Sequence, residues 1–80
     1  MTVSMEKSEI IQQEILNYLQ AFTELNNYAP TAREIQKGIG MRTLSNTQYH
    51  IEKLISRGLI TRDPKKARTL ALIEPGDDHE

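Results

Sequence analysis

Ala-Pro-Thr-Ala-Arg-Glu-Ile (29–35), Gly-Ile-Gly-Met-Arg-Thr (38–43) and Ile-Glu-Lys-Leu-Ile-Ser-Arg-Gly-Leu-Ile (51–60) follow one another closely, and their spacing decides how this chain is read. The first word opens a helix. Thr31 and Glu34 stand in the capping-box relation, in which hydroxyl and carboxylate each satisfy a backbone N–H that the first turn leaves free. Pro30 disfavours the helical region at the residue before it, so Tyr28-Ala29-Pro30 should lead in as extended chain. Ile35 and Ile39 give this helix 2 one buried face, and Gly38 and Gly40 are expected to stop it within about two turns. A longer helix 3 is expected from near Thr43 to Arg57. Gly58 is placed to follow its last turn, with Leu59 folding back on Leu54 as in a Schellman motif.

Outward from this centre, Ile11, Ile15, Leu19 and Phe22 recur at the rhythm of one buried stripe, predicting helix 1 over about Ser8–Thr23. Gln12, Gln13, Asn17 and Gln20 read as lying off that stripe. Ser8 is the expected N-cap, with Glu9 at the favourable end of the helix dipole, and Asn26-Asn27 breaks the pattern. Downstream, Leu59–Arg62 and Arg68–Ile73 have strand character. They are joined by Asp63-Pro64-Lys65-Lys66-Ala67, where Asp-Pro signals a turn and Pro64 is barred from a central strand. Three helices followed by a basic hairpin make a mainly α domain, a winged helix-turn-helix over residues 8–73. Residues 1–7 are expected to be a flexible start and residues 74–80 a disordered acidic tail.

The outer face of helix 3 carries the functional signal. With Ile51 set at 0° and 100° per residue, Leu44, Thr47, Leu54, Ile55 and Gly58 fall within about 60° of it. Ser45, Asn46, Tyr49, Lys53 and Ser56 point the other way. A merely solvated face usually holds Glu/Lys pairs; this one holds hydroxyl, amide, phenol and ammonium groups, which bond to base edges and phosphates. Charge is distributed to match. The chain's net charge is −1, yet residues 41–70 hold seven basic side chains (Arg42, Lys53, Arg57, Arg62, Lys65, Lys66, Arg68) against Glu52 and Asp63. A phosphate backbone responds to that local field and not to the total.

Size and composition exclude other classes. Eighty residues make one domain at most, with a small core. No apolar run reaches the ~18 residues of a spanning helix, and the first residues lack a signal-peptide pattern. The absence of cysteine removes disulfides and cysteine-ligated zinc, so a cytoplasmic protein without cofactor or metal is expected. His50 reads as structural, flanking the core side of helix 3. His79, with Asp77 and Asp78, resembles a metal site only superficially. With no nucleophile elbow, glycine-rich phosphate loop or HExxH, an enzyme is not expected.

From Gln12 to about Leu72 the chain resembles the family of amino-terminal DNA-binding domains of LexA repressors. The likeness is carried by Gln-Gln-Glu-Ile (12–15), Pro-Thr-Ala-Arg-Glu-Ile (30–35), Gly-Met-Arg-Thr (40–43), His50, Lys53-Leu54 and Arg-Gly-Leu-Ile (57–60). The resemblance implies a DNA-binding transcriptional regulator, a repressor, that reads its operator with the N-terminal half of helix 3. Carried over by position, Thr43, Ser45, Asn46, Gln48 and Tyr49 are the base-reading residues. Arg42 and Lys53 are expected on phosphates, and so are Lys65, Lys66 and Arg68, because a wing lies along the backbone in this family. The family shows acidic side chains where Gln48 and Tyr49 stand, so its operator sequence does not transfer. It also joins this domain to a self-cleaving serine–lysine protease domain that dimerises it. The sequence ends at Glu80 with no such Ser/Lys pair, so either a stand-alone regulator or a piece cut from a longer chain is expected, the acidic tail favouring the first.

Two other readings compete. A winged helix used for protein–protein contact would keep the fold and drop the DNA, and it would want an exposed apolar strip on helix 3. A DNA-binding sensor would also need a ligand cavity of ~300 Å³ or more, for which so small a core has scarce room. The expected partner is therefore double-stranded DNA, with no small-molecule ligand. A homodimer on a two-part operator would need self-contact away from the reading face, expected at the end of helix 1 around Tyr18, Phe22 and Tyr28.

Overall fold

A computed structural model of the chain describes residues 7–73. The expected acidic tail, with Asp77, Asp78 and His79, lies outside them, as do the first six residues of the expected flexible start. The element order is α1 (Lys7–Asn26), α2 (Ala32–Ile39), α3 (Leu44–Ser56), β1 (Ile60–Thr61) and β2 (Ala71–Leu72). The strands pair antiparallel, Ile60 opposite Leu72 and Thr61 opposite Ala71. This is the three-helix, one-hairpin arrangement that the sequence predicts.

Local signals account for most of the boundaries. Thr31 Oγ1 accepts from the Glu34 N–H at 3.1 Å, and Glu34 Oε1 accepts from the Thr31 N–H at 2.9 Å, completing the capping box. Thr43 caps α3 in the same way, its hydroxyl accepting from the Asn46 N–H at 3.1 Å. At the far end of α3 the Leu59 N–H reaches the Leu54 carbonyl and the Gly58 N–H reaches that of Ile55, both at 3.0 Å. Gly58 has φ +78°, so the Schellman motif stands where it was expected.

Four details differ from the expectation. Lys7 is already helical, so Ser8 lies inside α1 and is not its N-cap. The helix also runs on to Asn26, because the asparagine pair caps it and does not break it. Asn27 takes φ +65° with its N–H on the Thr23 carbonyl, and the Asn26 amide donates to the Phe22 carbonyl. Gly38 lies within α2 and does not stop it; only Gly40 closes the helix. What Gly38 provides is room, since a Cβ there would sit 2.1 Å from the Tyr18 ring. The strands are shorter than expected, Ile60–Thr61 and Ala71–Leu72, and Arg68 at φ +59° is left-handed and cannot begin the second one.

The core joins all the elements. Ile15 and Leu19 of α1, Ile35 of α2, Ile51 and Leu54 of α3, Ile60 of β1, Leu70, and Ala29 before α2 form one buried cluster. Each large side chain contributes roughly 1.5–3 kcal/mol by leaving water. Ile11 and Phe22 are only half-buried, and the third member of the α1 face is Gln12. That glutamine sits three residues before Ile15, on the same stripe, and its burial is offset by hydrogen bonds described below.

Two substitutions test this packing. Gly38→Ala should gain about 1 kcal/mol of helix propensity in a Tyr18→Ala background, and lose that gain with Tyr18 present. An equal gain in both backgrounds, by urea unfolding, contradicts the close approach. Gly58→Ala should cost about 1 kcal/mol through its left-handed backbone, read as a lowered denaturation midpoint with unchanged slope.

Candidate nucleic-acid interface

The outward residues of α3 follow from its buried ones. Thr47, Ile51 and Leu54 face the core, and the Thr47 hydroxyl donates to the Thr43 carbonyl at 2.9 Å. Thr43, Ser45, Asn46, Gln48, Tyr49 and Lys53 are all exposed, and so is Arg42 in the turn before the helix. The Lys53 ammonium lies 5.9 Å from the centroid of the Tyr49 ring, and Tyr49 meets His50 edge-on. Glu52, the one carboxylate on α3, is ion-paired with Arg62 of the hairpin. The exposed face thus offers hydroxyl, amide, phenol and ammonium groups, with its single negative charge neutralised.

Behind this face, a polar chain ties α3 to α1. Arg57 Nη1 donates to Gln12 Oε1 at 2.7 Å, and Gln12 Nε2 lies 3.3 Å from His50 Nδ1. A guanidinium can only donate, so the Gln12 oxygen faces Arg57 and its NH2 is left to donate to the ring. His50 is therefore the acceptor at Nδ1, which makes it the neutral tautomer with its proton on Nε2. Burial agrees, holding the His50 pKa below the ordinary histidine value.

The wing begins with the Asp-Pro turn. Asp63 Oδ1 accepts from the Lys65 N–H at 3.0 Å, and the Asp63 carbonyl accepts from the Lys66 N–H at 3.1 Å. Thr69 Oγ1 closes the loop by accepting from the Asp63 N–H at 2.9 Å. Lys65 and Lys66 are exposed on this braced turn. Lys66 and Arg62 also line a groove of about 220 Å³ that runs beside Thr31 and Ile51.

Arg68 is engaged differently. Its guanidinium forks onto Glu34, Nη1 to Oε1 at 2.9 Å and Nη2 to Oε2 at 3.1 Å. Nη1 also donates to the Ala29 carbonyl at 3.1 Å, and the guanidinium carbon lies 4.8 Å from the centroid of the Tyr28 ring. The Arg68 hydrogen bonds, followed by the Thr31 N–H, hold the Glu34 carboxyl below the usual carboxylate value, while Glu34 pushes Arg68 up. Sequence reasoning missed Glu34 in this second role, set Gln12 off the buried stripe, and read Arg57 only as a basic residue at the end of helix 3. Their only advance signal was polarity or charge of the right kind, at separations of 34, 38 and 45 residues.

Among the described residues no cluster of His, Cys, Asp or Glu is arranged to hold a metal ion, and no helix is long and apolar enough to cross a membrane. A sequence profile of the family described as the LexA DNA binding domain matches residues 5–69. The chain is 41% identical to a LexA repressor of Exiguobacterium sibiricum over 95% of its own length and 38% of the relative's. It is 38% identical to one of Enterococcus faecalis, covering 95% of this chain and 36% of that protein. For one of Ligilactobacillus salivarius the identity is 40%, over 90% and 35%. The chain therefore spans less than two fifths of the length of these relatives.

The polar chain behind α3 carries a pH signature. With the folded His50 pKa depressed, the unfolded chain binds more protons once pH falls below the free histidine value of ~6.5. Stability is thus complete above that value and declines as pH drops through it toward the folded pKa. Glu34 shifts the same way, but its loss waits for the carboxylate range. Thermal unfolding should show a first decline between about pH 7 and pH 5 that His50→Gln removes. If the decline persists in that variant, it does not originate in His50.

Proposed function

The chain belongs to the LexA DNA-binding domain family, and from that premise we propose that it binds double-stranded DNA sequence-specifically as the reading domain of a LexA-like transcriptional repressor. α3 lies in the major groove, with Thr43, Ser45, Asn46, Gln48 and Tyr49 toward base edges. Arg42, Lys53, Lys65 and Lys66 neutralise phosphates on either side. The observation that carries this reading is the outer face of α3: every one of those groups is exposed, and Glu52 is already paired with Arg62. The competing protein-contact module is disfavoured by the same face, where Tyr49 is the one large exposed hydrophobic side chain on α3.

Salt titration on a duplex selected from a random pool tests the reading. Neutralising about four phosphates gives a fall of log K with log salt of slope about −4. Asn46→Ala or Tyr49→Ala should cost roughly 1–3 kcal/mol on the preferred site and blunt discrimination, whereas Lys65→Ala or Lys66→Ala should weaken all duplexes alike and reduce the slope by about 1. No salt-dependent binding to any duplex contradicts the reading. Equal losses on every sequence from the helix variants remove α3 as the reader.

Selective binding by one module of ~600–1,000 Å² is weak, and a second copy on an adjacent half-site raises it through effective concentration. We assign any self-contact to the C-terminal end of α1. There Phe22 meets Tyr18 tilted at 5.7 Å and Tyr28 edge-on at 5.6 Å between ring centroids, and Leu25 beside them in the chain is 82% exposed. Sedimentation on duplexes carrying one or two half-sites should show two chains on the latter. One chain per duplex, with no gain from the second half-site, contradicts pairing.

A further inference from the structure

Arg68 stands in a conformation that L side chains avoid. Its φ of +59° lies in the left-handed region, and Thr69 and Leu70 follow it directly into the hairpin's return. A non-glycine residue keeps such a backbone only where its surroundings over-determine it. Here the surroundings are specific: both Glu34 oxygens, the Ala29 carbonyl and the face of Tyr28. Two of these precede α2 and one is in its first turn. The side chain therefore spans from the wing to the start of the helix that packs beneath α3.

Glu34 is equally committed. Its Oε1 closes the capping box on Thr31 while both oxygens take the fork from Arg68. The carboxylate thereby couples the first turn of α2 to the wing. Bidentate guanidinium–carboxylate pairs fix orientation as well as distance, which a lysine ammonium cannot do. Without this pair, the hairpin would be held to the helices chiefly by Leu70, Ile60 and the exposed Arg62–Glu52 pair.

We propose that Arg68 is a positioning residue: by forking onto Glu34 it sets where the wing, with Lys65 and Lys66, stands relative to α2 and α3, and it is not itself a phosphate ligand. The proposal deepens the DNA-binding reading and rests on it for its effect on affinity. Its structural half, the placing of the wing, stands independently.

Glu34→Gln distinguishes the two roles by sign. Glutamine still serves a capping box, but it removes the charged fork and one negative charge near the DNA. If Arg68 were a phosphate ligand restrained by Glu34, this change would free it, tighten binding and steepen the salt slope by about 1. A positioning role gives the opposite result, in variants verified as folded by circular dichroism. Glu34→Gln and Arg68→Lys each weaken preferred-site binding about three- to five-fold, leave the salt slope unchanged, and together lose no more than either alone. Unchanged affinity in the folded variants would limit the pair to stability and overturn the proposal. A second measurement needs no DNA: ¹⁵N relaxation of the free protein. The amides of residues 65–70 should become more mobile in both variants, with those of α3 unaffected. A wing as ordered as the unsubstituted protein's overturns the proposal whether or not DNA is bound. Absence of DNA binding by the unsubstituted chain would count against the functional reading alone.

Discussion

The outer surface of α3 is available only because its inner stripe is fully engaged. Thr47, Ile51 and Leu54 are buried against a core drawn from α1, α2, β1 and Leu70, and the capped ends at Thr43 and Arg57–Gly58 fix where that stripe begins and stops. A helix this short is marginal on its own in water, so tertiary burial of one face supplies most of its stability. Side chains on the opposite face are then released from any packing duty. The Gln12–His50–Arg57 chain adds direction to this burial, because its hydrogen bonds are satisfied in one orientation of α3 on α1.

Electrostatics are arranged around the same helix. The seven basic residues of segment 41–70 do not act alike. Arg57 serves Gln12 behind the helix, Arg62 pairs with Glu52 beside it, and Arg68 forks onto Glu34. Arg42, Lys53, Lys65 and Lys66 are exposed, and these are the four cations that the proposed reading places on phosphates. Net charge counts these residues equally, whereas geometry separates those bonded to other side chains of the protein from the exposed cations that the proposed reading gives to DNA.

How much of this could be read in advance depended on sequence distance. The capping box, the Gly58 closure of α3 and the Asp-Pro turn are set by residues within a few positions of one another, so their chemistry is written locally. The partition of α3 into inner and outer faces was legible for the same reason. Gln12 and Gly38 were misread, and the fork of Arg68 onto Glu34 was not foreseen, because these contacts depend on partners brought together by folding. A buried glutamine looks polar until Arg57 and His50 arrive. A glycine inside a helix looks like a stop until Tyr18 is seen against it. An arginine in a basic hairpin looks free until Glu34 is placed opposite, and its left-handed backbone keeps it out of the return strand.

The central claim is that α3 and the tip of the wing form one DNA-reading surface while α1 faces away. ¹H–¹⁵N spectra of the protein titrated with a selected duplex test it most directly. The account predicts that amide shifts concentrate at Arg42–Lys53 and at Lys65–Lys66, with Gln13, Asn17 and Gln20 on the exposed side of α1 unmoved. Shifts centred on α1, with those of α3 silent, would contradict it.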